Sequence, residues 1–468
     1  MKAEQRDALL NIFLPFILEA FHKLVKLKVA YCASLEEVFQ LQVQGLDIKE
    51  TCLVTSKLRQ VKLFHLPKLK HIWNKDPSKD ISFENLRQVL VEDCWSLKSL
   101  FPFSIARGLQ QLEILIVGSC GVEEIVSKSA EGSEEDEILF EFNQLSFLAL
   151  WAFPNLVCFY PGKHNITCPT VKRLTTYLQE KIKVFGHAVS QLLHVEKLKM
   201  VDCNFKEFSP YEGDFGEERD VVTMLPRINK LTLQGVDQMT HLWKQGSPLN
   251  HICANLETLK VYECGNLISL SCSSSSFQNL TTFEVWDCKE MVELITSSKA
   301  QYLERLVSLT IGGCEMMREV IASDGDQATY HEIIFREFKF LKLDGLQNLK
   351  SFCSGNHTLK LPSLVEVTVN ACPRMENFCQ GRLSTPKLHK VQLTETDFEG
   401  RWAGDLNATI EQSNTEAKDL QHLESLNVDS SGVPEIVPKN VEGVEHKIWF
   451  SYLIFWNLSK LMFLPRNA

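Results

Sequence analysis

Basic runs, metal-binding cysteine pairs and uninterrupted long apolar stretches are all missing from this 468-residue sequence. No segment concentrates Lys or Arg, and 59 Asp and Glu outnumber 49 Lys and Arg, giving a net charge of −10. A nucleic-acid surface needs a basic stripe, so nucleic acid is not an expected partner. The apolar run 448–464 is broken by Asn457 and Lys460 and falls short of the roughly 20 residues that cross a bilayer; no membrane span is expected. No G-x-x-x-x-G-K-[ST] occurs, so no phosphate-cradling loop is present; Gly162-Lys163 is followed by His164 and lacks the preceding glycine. H-E-x-x-H and C-x-x-C are also absent, which removes zinc-protease, zinc-finger and thioredoxin readings. The 13 histidines are scattered; His71 and His241 precede Ile72-Trp73 and Leu242-Trp243 and read as echoes of one repeated pattern. No catalytic residue, metal site or cofactor is assigned, and the chain is not read as an enzyme. At the N-terminus, MKAEQRDALLNIFLPFILEAF, Glu4 and Asp7 offset Lys2 and Arg6, and Asn11, Pro15 and Glu19 interrupt the apolar core; a secretion signal has neither feature. Without one, the Asn-x-Ser/Thr sites at Asn165, Asn279, Asn356, Asn407 and Asn457 carry little weight. The 15 cysteines are read as reduced thiols of a cytoplasmic protein.

What the sequence does contain is repetition. Leu86, Val89, Val91, Cys94, Leu97 and Leu100 follow L-x-x-L-x-L-x-x-C-x-x-L-x-x-L. The same frame reaches Cys32, Cys120, Cys203, Cys264, Cys288, Cys314 and Cys372, so eight of the 15 cysteines share one position. A version without cysteine starts at Leu58, Leu145, Ile228, Phe338 and Phe450, and weaker copies start at Val171, Leu388 and Leu423. About sixteen units result, spaced 24 to 35 residues apart, which is the leucine-rich-repeat signature. The L-x-L pair has the period of a strand. The following x-x-L-x-x-L has a period of three, suited to a 3₁₀ or irregular turn. One coil cannot bury its apolar face alone, so the coils must stack. The expected fold is an α/β solenoid: a horseshoe with a parallel sheet on the concave face and short helical, 3₁₀ or irregular turns on the convex face. Residues 1–23 are expected to form an irregular segment or partial repeat, and 24–468 the solenoid. The repeated cysteine is read as a small buried residue at the corner where the chain leaves the strand.

The cysteine-free units mostly follow longer acidic insertions, such as 130–138 (AEGSEEDEI), 212–220 (EGDFGEERD) and 323–332 (SDGDQATYHE). These are either solvated spacers or docking surfaces for a basic partner. With the first leucine of each unit as position one, position seven follows the second apolar strand residue and should face concave solvent. Phe64, Trp151, Tyr177, Tyr262, Trp286 and Trp456 occupy it, more aromatics than a 9 % aromatic content accounts for. They are candidate anchors for a protein partner; alternatively, aromatics simply favour strands and lie flat on their neighbours. In the unit around Cys94, the solvent-facing candidates are Arg87, Gln88, Leu90, Glu92 and Asp93.

The succession SFENLRQVLVEDCWSLKSLF, LQQLEILIVGSCGVEEIV, acidic insertion, then FNQLSFLALWAFPNLVCFY resembles the repeat region of plant intracellular disease-resistance proteins. These are the coiled-coil nucleotide-binding leucine-rich-repeat class, and the resemblance extends from about Phe21 to Leu464. The L-x-G-x-I-P ending of extracellular plant receptors is absent. The resemblance implies a non-catalytic recognition and regulatory module in innate immunity. Its implied partners are proteins: a pathogen effector, a guarded host protein, or a nucleotide-binding switch domain. The family's coiled coil and ATPase switch have no counterpart in this sequence, so nucleotide binding is not carried over. The chain begins almost inside a repeat and ends just after one, as expected of a truncated product, a fragment or a partner of a full receptor. The alternative is a substrate adaptor of an F-box-type ubiquitin ligase, since those repeats also favour cysteine at the turn; the first twenty residues are too short for an F-box.

Overall fold

Each repeat contributes one short strand whose buried and half-buried residues alternate, as in Gln60–Phe64, Gln88–Glu92 and Thr282–Trp286. The two apolar residues of L-x-L turn inward and the residues between them turn outward, as period two requires. In the computed structural model, the residues described are 1–5, 11–13, 23–39, 54–73, 76, 81–128, 138–162, 164–176, 195–202, 227–242, 250–270, 277–324, 332–393 and 399–421. Contacts divide the chain into two units, Met1–Asn414 and Thr415–Ala468. The weaker repeat at Leu423 and the cysteine-free repeat at Phe450 lie outside the described residues.

Within Met1–Asn414, fourteen strands form one sheet in which neighbours in space are successive repeats. Every pairing is parallel and keeps the same register, for example Leu115↔Val89 and Val117↔Val91, then Leu115↔Leu148 and Val117↔Leu150. The chain is thus a leucine-rich-repeat solenoid. Its first strand, Lys2–Glu4, pairs with Lys26–Ala30 so that Ala3 stands beside Val29. Gln5 then takes the place held by Tyr31 in the next coil, with the same positive φ. Residues 1–5 therefore carry the strand end and the left-handed step of a coil.

The return path is more ordered than its period of three suggests. A tight turn follows the corner, closed by a bond from the third residue on, as in Leu97 N to Cys94 O at 3.2 Å and Met291 N to Cys288 O at 3.3 Å. Then a second short strand forms instead of a 3₁₀ helix. Asn11–Phe13, Glu37–Phe39 and His71–Trp73 make one small parallel sheet, and Glu293–Thr296, Glu319–Ala322 and Ser351–Cys353 make another. Stacked coils set equivalent backbones side by side, so an extended return limb satisfies its N–H and C=O groups on its neighbour. His71 stands at the start of one such strand, and His241 bridges Ser269 at the equivalent place. Helices are few among the described residues: Phe103–Gly108, Asn250–Asn255, Ser297–Ala300 and Leu406–Gln421.

The frame does not foresee how the coils are covered near residue 400. Val391 forms an antiparallel bridge with Arg401, and Leu406 and Ile410 are buried. The Asn407 amide copies a strand edge. Its Oδ1 accepts from Phe378 N (2.8 Å) and Cys379 N (3.0 Å), and its Nδ2 donates to Cys379 O (2.9 Å). An exposed parallel edge invites pairing with another chain, and these bonds occupy it. They also use both acceptor positions of the Asn407 Oδ1 and one N–H of its Nδ2, so this Asn-x-Thr amide is engaged in structure. Of the acidic insertions, 130–137, 212–220 and 325–331 lie outside the described residues. Asp324 accepts from Ser297 Oγ and Ser298 N at 2.7 Å each, and Glu332 pairs with Lys360.

Candidate protein-recognition face

The corner residue is structural in every coil where it is described. Cys94 is fully buried, and its thiol donates to Glu92 O two residues back at 3.4 Å. Cys32, Cys120, Cys264, Cys288, Cys314 and Cys372 make the same bond, at 3.0 to 3.5 Å. Cys203 lies outside the described residues. The accepting carbonyl also takes the N–H of position eight of the preceding coil, as Glu92 O does from His65 N at 3.0 Å, so both its lone pairs are used. Position eight has a positive φ in Tyr31, His65, Asp93, Ser119, Ala152, Asp202, Glu263, Asp287 and Ala371, and glycine fills it at Gly235, Gly313 and Gly345. That left-handed step ends the strand and turns the cysteine inward. Burial holds the Cys168 and Cys372 thiols up at about 12. The neighbouring Cys120 thiol and burial together push Cys94 well above the usual thiol range. These are protonated packing groups, since a reactive cysteine needs a lowered pKa and access. Among the described residues, no cluster of His, Cys, Asp or Glu could hold a metal ion.

The outward residues of the sheet occupy positions three, five and seven. Of the six aromatics expected at position seven, Phe64, Trp151, Tyr262 and Trp286 are described, and all are half-buried; Tyr177 and Trp456 lie outside the described residues. Tyr262 and Trp286 are register partners on adjacent strands, whereas Glu92 and Gly118 separate Phe64 from Trp151. The tryptophans lie flat. A Cβ on Gly118 would overlap the Trp151 indole, and one on Gly312 would overlap that of Trp286. Each ring covers the glycine at its own level on an adjacent strand, the preceding one for Trp151 and the following one for Trp286. Beyond Gly312, Lys342 Nζ lies 5.3 Å from the centre of the Trp286 ring and 3.4 Å from Asp344 Oδ2, while Asn370 Nδ2 donates to Asp344 Oδ1 at 2.8 Å. Tyr262 Oη donates to Glu284 Oε2 at 2.6 Å, and Lys260 Nζ stands 2.9 Å from Glu284 Oε1. Burial, then the bond to Glu284, pushes the Tyr262 phenol up.

Around Cys94, Gln88, Leu90 and Glu92 face outward and are half-buried. Arg87 pairs with Glu113 at 3.0 Å and His65 with Asp93 at 3.0 Å. Burial, then the Asp93 charge, raises Glu92, and His65 opposes this.

Attention to position seven alone misses a separation of charge. From Lys2 to Gln234, every charged residue at positions three and five is a cation. Lys2, Lys26, Lys28 and Lys62 stand at the N-terminal end, and Arg173, Lys197, Lys199 and Lys230 stand further along. Positions seven and eight carry no Lys or Arg among the described residues; Glu4, Glu92, Asp93, Asp202, Glu263, Asp287 and Asp344 lie there. Between the two cationic groups, positions three and five are apolar except for Gln88: Leu90, Ile114, Ile116, Phe147 and Ala149. The outward positions of the repeat frame, laid side by side, carry this signal in the sequence.

The family model for "Plant disease resistance protein RPS2-like, leucine-rich repeats" matches residues 1–121 and 269–382, half of the chain. The chain belongs to that family. Its repeats are those of a plant disease-resistance protein, on a scaffold typical of protein-interaction modules. No curated protein matches the sequence. Among solved structures it is similar to a plant peptide hormone receptor, RGFR1, in complex with RGF2: 11 % identity, TM-score 0.30, covering 84 % of this chain and 65 % of that one. It is also similar to the mouse RP105/MD-1 complex, with 13 % identity and TM-score 0.27 over 80 % of this chain and 71 % of that one. The chain therefore spans just under two thirds of the plant receptor. No helix among the described residues is long and apolar enough to cross a membrane.

Proposed function

We propose that this chain is a non-catalytic recognition and regulatory module of plant disease resistance, acting in the cytoplasm, whose strand face binds a protein. The partner is a pathogen effector, a guarded host protein or a nucleotide-binding switch domain. One observation carries the reading. The inward and corner positions repeat from coil to coil, while the outward positions on the same sheet vary along it, from lysines (Lys28, Lys62) through Leu90, Ile116 and Ala149 to Lys260, Glu284 and Thr310. A scaffold of this kind presents a surface whose chemistry is set residue by residue. Half-buried aromatics beside paired charges give it rigid contact area at low entropic cost.

The test is site-directed photo-crosslinking in plant cells, with a crosslinking residue at Thr310 on the strand face or at Val157, which is 67 % exposed on the return limb. A protein partner should be captured from Thr310 and not from Val157. The Trp151→Ala/Trp286→Ala double variant, shown to be folded by circular dichroism, should lose it. Capture only from Val157, or undiminished capture by the double variant, would overturn the proposal. An Skp1-type adaptor among the captured proteins would point to a ubiquitin-ligase adaptor instead.

A further inference from the structure

We infer that the N-terminal part of the strand face takes an acidic segment of a partner protein, with apolar side chains in its middle. This rests on the strand face being the recognition surface. The register sets the row Lys62, Leu90, Ile116, Ala149, Thr175, Lys199 across six consecutive strands. At about 4.8 Å per strand, the two lysines stand roughly 24 Å apart with the apolar island between them. One level back, Ile114 and Phe147 continue the island and Arg173 and Lys197 continue the cationic flank.

Three features make this a binding surface and not a solvated sheet. First, the flanking cations are unspent. Among the described residues Lys62, Lys197, Lys199 and Lys230 make no ion pair, whereas Lys28 is held by Glu4 at 2.7 Å and Lys172 lies 3.9 Å from Glu196. Second, the Arg173 guanidinium lies 4.7 Å from the centre of the Phe147 ring, so the apolar island and the cationic flank are continuous. Third, on the strand face the cations from Lys2 to Lys230 stand only at positions three and five, in a chain whose net charge is −10. A local cluster of like charge creates a field that draws groups of opposite sign to it.

The chemistry of the occupant follows. Carboxylates complement the two flanks, and aliphatic or aromatic side chains complement Leu90, Ile116 and Phe147. A span of about 24 Å suits some seven extended residues or four turns of helix. A nucleic-acid backbone matches the surface poorly. Phosphates following the cations would run beside Glu92, Asp93 and Asp202, and the island is mostly aliphatic, its aromatic Phe147 already covered by Arg173, where successive bases need aromatic planes.

The experiment uses the whole chain and a fluorescein-labelled peptide of about twelve residues, four leucines flanked by glutamates on both sides, read by fluorescence anisotropy. The peptide should bind, and binding should weaken as salt is raised. Lys197→Glu/Lys199→Glu and Ile116→Ser should each weaken it by about tenfold or more, while the exposed return-limb pair Arg318→Glu/Lys350→Glu should not. No binding, equal binding of an all-glutamate peptide, indifference to both strand-face changes, or tighter binding of a 20-nucleotide RNA would overturn the inference. Thr310 crosslinking separates the two proposals. Capture that survives in Lys197→Glu/Lys199→Glu, with no peptide binding, removes this inference alone; loss of all strand-face capture from the wild-type chain removes both.

Discussion

The two ends of the strand face share one frame and are finished differently. Between Thr258 and Asn370 the outward side chains answer one another: Tyr262 and Lys260 both hold Glu284, Lys342 lies beside Asp344 and faces Trp286, and Asn370 holds Asp344. Between Gln60 and Gln234, Lys62, Lys197, Lys199 and Lys230, which make no ion pair among the described residues, flank a patch of isoleucine, leucine and phenylalanine. Identical backbone register therefore carries two chemistries. One region spends its polar groups on holding its own side chains in place. The other leaves several lysines without an ion pair among the described residues, at little cost to folding because exposed ion pairs contribute only about 0–1 kcal/mol.

The core should not register this difference. Leu63 and Leu343 occupy the same inward position in two cysteine-free coils and are both fully buried. Leu63→Ala and Leu343→Ala should each cost about 2–5 kcal/mol, read as a drop in the urea unfolding midpoint. A near-zero cost at one site would show that the contrast reaches beneath the surface. The next effect is smaller and lies on the face itself. Glu284→Ala leaves the Tyr262 hydroxyl and the Lys260 ammonium without their shared acceptor and should cost about 1–3 kcal/mol. Lys199→Ala removes a side chain with no polar partner and should stay within about 0.5 kcal/mol. Equal costs would erase the distinction between the two regions.

Much of the scaffold was legible because its physics is periodic. The alternation of Val89 and Val91 with Gln88, Leu90 and Glu92 gives the strand. Recurrence of Cys94 in one frame identifies a corner, and the structure adds the reason, a thiol bonded to the carbonyl two residues back beside a left-handed residue. The return limb was less legible. His71–Trp73 pairs with the coil before it, and nothing within a single repeat announces a bond made between repeats. The cover at Asn407 was invisible for the same cause: a side-chain amide standing in for a strand edge has no period. On the face, the aromatics at position seven stand out within the repeat frame. That the Trp151 and Trp286 rings lie over Gly118 and Gly312 depends on which residues the register makes neighbours. The cationic grouping of Lys62, Lys197 and Lys199 appears only when several outward positions are compared across coils.

The smallest expected effect isolates one bond in the paired region. Tyr262 is half-buried and donates to Glu284 at 2.6 Å. Burial first, and then that carboxylate, disfavours the phenolate and raises the folded-state pKa above the ordinary tyrosine value of about 10. The unfolded chain lacks both influences, so as pH rises past about 10 it loses the phenol proton first. The contribution is therefore complete below that pH and declines as pH climbs toward the folded-state value. Alkaline titration followed by tyrosinate absorbance should show a phenol that ionises late in the wild-type chain and is missing from Tyr262→Phe. In Glu284→Gln the bond remains but the charge is gone, so the same phenol should titrate earlier than in wild type while staying later than an exposed tyrosine. If the late phenol survived in Tyr262→Phe, the Tyr262–Glu284 bond would not be its cause, and the contrast between the two halves of the face would rest on the remaining pairs alone.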